Sequence, residues 1–220
     1  MKGKIDTKIV DLVADIIPKI KIIFITTQHG TSTSDVDVYC VASVRKSSVH
    51  VFFKNNRLYE IFIDSIENLK KKAKNRDEIT FSFLHRMKLV YGNKTIHKKF
   101  KNLFPKRYSM PEHRLQKLIY RIKVIGSKYT SSKNALSKNF FLGQLIQYFI
   151  MLEFHLNGIW PASPKKWIEQ LNKMKTTTSK QLRRLISNKN TNVDSLISEY
   201  TKNFKGLDLE YPTTDQTFIT

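Results

Sequence analysis

Ser34-Asp35-Val36-Asp37-Val38 sets the strictest condition on any fold that this chain can adopt. Two carboxylates lie one residue apart, directly after the small polar loop His29-Gly30-Thr31-Ser32-Thr33, and apolar residues flank the pair. On an extended strand, residues i and i+2 point to the same side. Asp35 and Asp37 therefore share a face while Val36 and Val38 share the opposite one. Crowded carboxylates are costly unless a cation sits between them, and a hard divalent ion holding phosphate oxygens removes that cost. An exposed strand edge or an Asx-turn at the strand start accommodates the same residues with no ion at all.

The flanking pattern places this pair in a small mixed sheet. Residues 5–17 space Ile9, Leu12, Val13, Ile16 and Ile17 for one helical face, closed by Pro18. Residues 22–26 read as a buried strand, 35–42 as a second, and 49–53 and 58–63 as a hairpin around Lys54-Asn55-Asn56-Arg57. In the last strand Glu60 shares a face with Phe62 and Asp64. An acid in an apolar strand must face solvent, be paired or bind a cation. Glu60 is thus the natural third carboxylate for Asp35 and Asp37 if the hairpin lies beside them, or else it marks the wet face of an edge strand.

Charge restricts the partners. The chain has 220 residues, with 39 Lys and Arg against 18 Asp and Glu, a formal net charge of +21. That excess suits a polyanion such as nucleic acid, or a triphosphate, although a Lys-rich bias spread over the whole surface gives the same total. Residues 70–107 hold thirteen Lys and Arg against Asp77 and Glu78, interleaved with Phe81, Phe83, Tyr91, Phe100 and Phe104. We read the phenylalanines as core and assign nucleic-acid contact to Lys98, Lys99, Lys101, Lys106 and Arg107. Helices are expected near 65–74 and 77–89. Cys40 is the only cysteine, which excludes an intrachain disulfide and a cysteine-based metal cluster. No apolar run approaches the ~20 residues of a membrane span, and Met1-Lys2-Gly3-Lys4 lacks an apolar stretch suited to secretion. The expected location is the cytoplasm, with no membrane partner.

The second half reads as helical. Pro111 and Glu112 open a helix, residues 139–156 form a long apolar one ended by Asn157-Gly158, and Ser163-Pro164 carries the signal of an N-cap followed by Pro at the first helical position. Further helices are expected over 179–186 and 193–200. The expected fold is α+β: a mixed-sheet head over residues 1–108, a helical bundle over 109–205 and an irregular tail over 206–220.

Asp35-Val36-Asp37 after a small polar loop, with Glu60 on a later strand, resembles the nucleotidyltransferase superfamily related to DNA polymerase β, especially small aminoglycoside- and lincosamide-type members. Residues 157–167, with Lys166, resemble the helical half of those enzymes. The resemblance implies a head carrying Mg²⁺ (or Mn²⁺) on Asp35, Asp37 and Glu60. Glu153, the one acid in the long apolar helix, is a candidate general base, or else a helix-surface acid paired with a lysine. It implies ATP or another NTP as substrate, held by Thr26, Thr27, Gly30, Thr31, Ser34 and Lys166. The implied reaction moves an NMP to an acceptor hydroxyl and releases pyrophosphate. The basic charge turns the expected acceptor toward RNA, such as a tRNA 3′ end. Two alternatives stand beside it: a catalytically weak nucleic-acid-binding protein with the same head, and an antibiotic-modifying nucleotidyltransferase. One departure matters. The family's Gly-Ser turn is replaced here by Thr26-Thr27-Gln28-His29-Gly30, which removes the glycine that permits close backbone approach.

Overall fold

The computed structural model describes residues 2–29, 35–187 and 192–202. The order of elements in the first unit is α1 (Lys2–Ala14), β1 (Ile22–His29), β2 (Val36–Ala42), β3 (Ser48–Lys54), β4 (Arg57–Ser65), α2 (Ile66–Lys74), α3 (Glu78–Arg86), β5 (Lys88–Gly92) and α4 (Lys94–Lys101). The strands form one five-stranded sheet in the order β3-β4-β2-β1-β5. β2 and β4 run parallel, and the other pairings are antiparallel. A mixed sheet with a helical bundle after it is the α+β architecture expected from the sequence.

Alternation decides what each face of the sheet buries. Val36, Val38, Cys40, Ile61 and Ile63 pack with Ile9, Val10 and Val13 of α1. Burial pushes the Cys40 thiol up to about 12, so it stays protonated and inert. The opposite face carries Tyr39 and Phe62, on which Phe83 of α3 sits with ring centroids at 5.0 and 4.9 Å. At the end of that face Asp64, 2% exposed, accepts hydrogen bonds from Tyr39 (2.8 Å), Asn68 (2.6 Å) and Lys72 (2.7 Å). This clamp ties α2 to β2 and β4.

Local chemistry sets most boundaries. Asn55 and Asn56 adopt φ 52° and 58°, as a two-residue hairpin turn of the primed type requires. Ser65 and Asp77 cap α2 and α3 by accepting the backbone N–H of Asn68 and Thr80. Three expectations change. The first helix ends at Ala14 rather than residue 17, consistent with the restriction that Pro18 places on the residue before it. The expected helix over 77–89 stops at Arg86, and residues 88–92 form β5 against β1. Local periodicity cannot register that pairing, because it depends on a strand over sixty positions away. α4 was also absent from the sequence reading.

The chain divides into two compact units, Met1–Arg107 and Tyr108–Thr220. The second contains α5 (Glu112–Ser131), α6 (Ala135–Asn157), α7 (Trp167–Asn172), α8 (Thr177–Ile186) and α9 (Val193–Lys202). Asn134 caps α6 at its start, and Gly158 ends it in the left-handed region at φ 67°. Glu153, fully buried, binds α6, α8 and α9 together by accepting from Tyr200 (2.7 Å), Thr176 (2.9 Å) and Asn157 (3.1 Å). The expected tail over 206–220 lies outside the described residues.

Candidate functional site

Sheet register brings two of the expected acids together. Asp37 and Glu60 are directly paired across parallel β2 and β4, so their side chains leave the same face side by side. The row continues to Gln28 on β1 and Val51 on β3. Asp37 and Glu60 are half-buried, and Gln28 and Val51 are exposed. Asp35 lies just before β2 and is exposed. A divalent ion of this hard class takes six or more oxygen donors. Among the described residues, no group of three His, Cys, Asp or Glu is placed to hold a metal ion. Asp37 and Glu60 are thus a pair of carboxylates, which would hold Mg²⁺ or Mn²⁺ only together with oxygens from a bound phosphate or water.

The residues expected to contact phosphate lie in different surroundings. Thr26 and Thr27 are 0% and 1% exposed. The Thr26 hydroxyl donates to the Phe83 carbonyl at 3.1 Å, and that of Thr27 donates to the Asp37 carbonyl at 3.0 Å. Both hydroxyls are thus committed to the framework, Thr26 to α3 and Thr27 to the strand that carries the acids. Gly30, Thr31 and Ser34 lie outside the described residues. Ser163 makes no capping bond, and Pro164–Lys166 form a single 3₁₀ turn before the six-residue α7. Lys166 is exposed there, without the long helix start that the Ser-Pro signal suggested. Trp167 is half-buried, its ring edge-on to Phe154 at 6.1 Å and its Nε1–H donating to the Ala162 carbonyl at 2.9 Å. Glu153 belongs to the second unit's interior, where its three donors give it a structural task.

The basic residues form a second feature of the first unit. Asn93 caps α4 by accepting from the N–H groups of Thr95 and Ile96. The helix is anchored by His97, edge-on to Phe24 at 5.1 Å, and by Phe100, whose ring lies 5.7 Å from Phe24. That anchoring turns Lys94, Lys98 and Lys99 outward, with Lys101 half-buried and Lys106 and Arg107 exposed. From Lys88 to Arg107 there are seven Lys and Arg and no acid. Phe81 and Phe104 pack on each other with ring centroids at 6.0 Å, as the core reading of these phenylalanines expected.

Sequence reasoning missed Gln28 and Val51 as neighbours of the acids, and the Asp64 clamp. Asp64 carried a signal, since it shares the Glu60 face at an apolar strand end. Gln28 and Val51 carried none, because only register assigns them.

Among the described residues no helix is long and apolar enough to cross a membrane. No protein-family model and no curated protein matches the chain. Among solved structures, it is similar to a nucleotidyltransferase-like protein from Exiguobacterium sibiricum 255-15, with 10% identity, a TM-score of 0.45, and coverage of 90% of this chain and 75% of that one.

Proposed function

We propose that this chain is a nucleic-acid-binding protein built on a nucleotidyltransferase-like head, with RNA as its partner and little or no transfer activity. The observation that carries this reading is the acid-free run Lys88–Arg107, which folds so that Lys94, Lys98, Lys99, Lys106 and Arg107 are exposed. A cluster of outward lysines suits backbone phosphates, whose binding needs positive charge more than fixed geometry. The engaged Thr26 and Thr27 hydroxyls and the absence of a three-carboxylate set among the described residues fit a head that has lost catalytic parts.

A second reading is favoured by one observation, the direct pairing of Asp37 with Glu60. It is metal-dependent transfer of an NMP from an NTP to an acceptor hydroxyl, on RNA or on a small molecule such as an antibiotic, with release of pyrophosphate. One experiment separates the two. The parent and the Asp37→Asn/Glu60→Gln variant are titrated with single-stranded RNA and incubated with labelled NTPs, Mg²⁺ and an RNA pool. RNA binding by both proteins, with no label incorporated, is expected. Incorporation by the parent that the variant loses establishes the second reading instead, and failure of the parent to bind RNA overturns the first.

A further inference from the structure

The two edges of the sheet are built differently. β5 is five residues long, starts at Lys88, ends at Gly92 and pairs with β1 through a register shift between Ile25 and Thr26. Short length, charge and irregular pairing are common ways to blunt an edge. β3 has none of them. Its seven residues pair with β4 without a register shift; they include no proline, and their only Lys or Arg is the terminal Lys54. Val49, Val51 and Phe53 are 58%, 58% and 75% exposed, and all three stand on the face that carries Glu60 and Asp37.

In a two-residue hairpin, the pair flanking the turn exchanges both backbone hydrogen bonds, and such pairs then alternate along the strands. Lys54 and Arg57 flank this turn, so Ser48, His50, Phe52 and Lys54 direct their N–H and C=O groups toward β4. Val49, Val51 and Phe53 direct theirs outward. The same three residues thus supply the outward backbone groups, without a strand partner among the described residues, and the exposed apolar side chains.

We infer that β3 is a homodimer interface, pairing antiparallel with β3 of a second copy about a two-fold axis through Val51. The segment is self-complementary in that register. Val51 meets Val51 of the second copy, Val49 meets its Phe53, and every opposed pair in that row has outward backbone groups to exchange. Ser48 meets Lys54 of the second copy, so the one Lys of β3 faces an uncharged residue. On the other face His50 meets Phe52 of the second copy, and Phe52 is already stacked on Tyr59 at 5.5 Å. An isologous contact of this kind closes on itself and uses one patch twice. Moving the axis to Phe52 leaves Val49 opposite Asn55, and moving it to His50 leaves Phe53 opposite Ser47. Only the Val51 register covers all three apolar side chains. It also places the Asp37 and Glu60 rows of both copies on one side of a continuous sheet. This inference does not depend on the RNA-binding reading.

Sedimentation velocity of the full chain at micromolar concentration and physiological salt tests it. The parent is expected to sediment as a dimer. Val51→Lys puts two like charges opposite each other at the axis and is expected to weaken association by at least about tenfold, with unchanged far-UV circular dichroism. Val49→Lys and Phe53→Glu are each expected to weaken the dimer, and the two combined in one chain to restore it, because every new cation then faces a new anion. A monomeric parent, a dimer that survives Val51→Lys, or a combined variant no better than its single members overturns the inference. If Val51→Lys loses its fold, the combined variant decides alone.

Discussion

Asp64 shows how much one carboxylate can do when its lone pairs are filled. Burial alone would raise its pKa, but the bonds from Lys72, Tyr39 and Asn68 outweigh it and hold the carboxyl below its ordinary range. A carboxyl lowered in the folded state stabilises fully above the unfolded value of about 3.9, and that contribution is lost as pH falls through the folded value. Asp64→Asn should therefore cost about 2 kcal/mol at neutral pH, and the difference from the parent should shrink in acid, as read by urea unfolding across pH. Glu153 is the corresponding residue of the helical unit. Glu153→Ala leaves Tyr200 and Thr176 without their acceptor and should cost about 3 kcal/mol, measured by thermal unfolding. RNA affinity per folded molecule should not change. A catalytic role for Glu153 instead requires a loss of turnover larger than the loss of folded protein. The sequence marked Glu153 as the one acid in an apolar helix, but it could not assign Tyr200 and Thr176 as its donors. Those partners lie 47 and 23 positions away.

At the scale of elements, what the sequence revealed follows from where the signal resides. The hairpin was legible because Asn55-Asn56 is local turn chemistry, and the parallel β2/β4 pair was legible only as far as Glu60 and Asp37 being acids in apolar strands. β5 and α4 were not legible, because β5 is held by pairing with β1 and α4 by packing on Phe24. Gly92 is the local trace of that arrangement. It has φ 99°, and a Cβ there would stand 2.4 Å from the Ile23 carbonyl oxygen and 2.7 Å from Phe24 Cβ. Gly92→Ala should cost upward of about 2 kcal/mol by denaturant unfolding. α4 brings a pH dependence as well. Burial, then the nearby Lys101 charge, lowers the His97 pKa, and its buried Nε2 has no hydrogen-bond partner among the described residues. Unfolding lets this ring take up a proton that the folded state refuses. Its contribution is full above the unfolded value of about 6.5 and is lost as pH falls below it. His97→Leu should flatten that part of the stability profile between about pH 5 and 7.

For the whole molecule, net charge and its placement make different statements. A formal charge of +21 predicts attraction to any polyanion, but not where the contact lies. The proposed contact is α4, which buries His97 on Phe24 and presents Lys98 and Lys99 to solvent, with exposed Lys106 and Arg107 following. The acids Asp37 and Glu60 stand side by side on the sheet, half-buried, and among the described residues they are not part of a three-residue metal group. The proposed binding by the basic run and any chemistry at the acid pair therefore rest on different residues and can be tested separately. The most direct measurement is the dependence of RNA affinity on salt, for the parent and for Lys98→Ala/Lys99→Ala. We predict a linear fall of log K with log salt for the parent, and for the variant weaker binding with a slope shallower by about 1.4, two phosphate contacts at ~0.7 each. A slope identical in the two proteins, or an affinity indifferent to salt, contradicts the assignment of α4 as the nucleic-acid-binding surface.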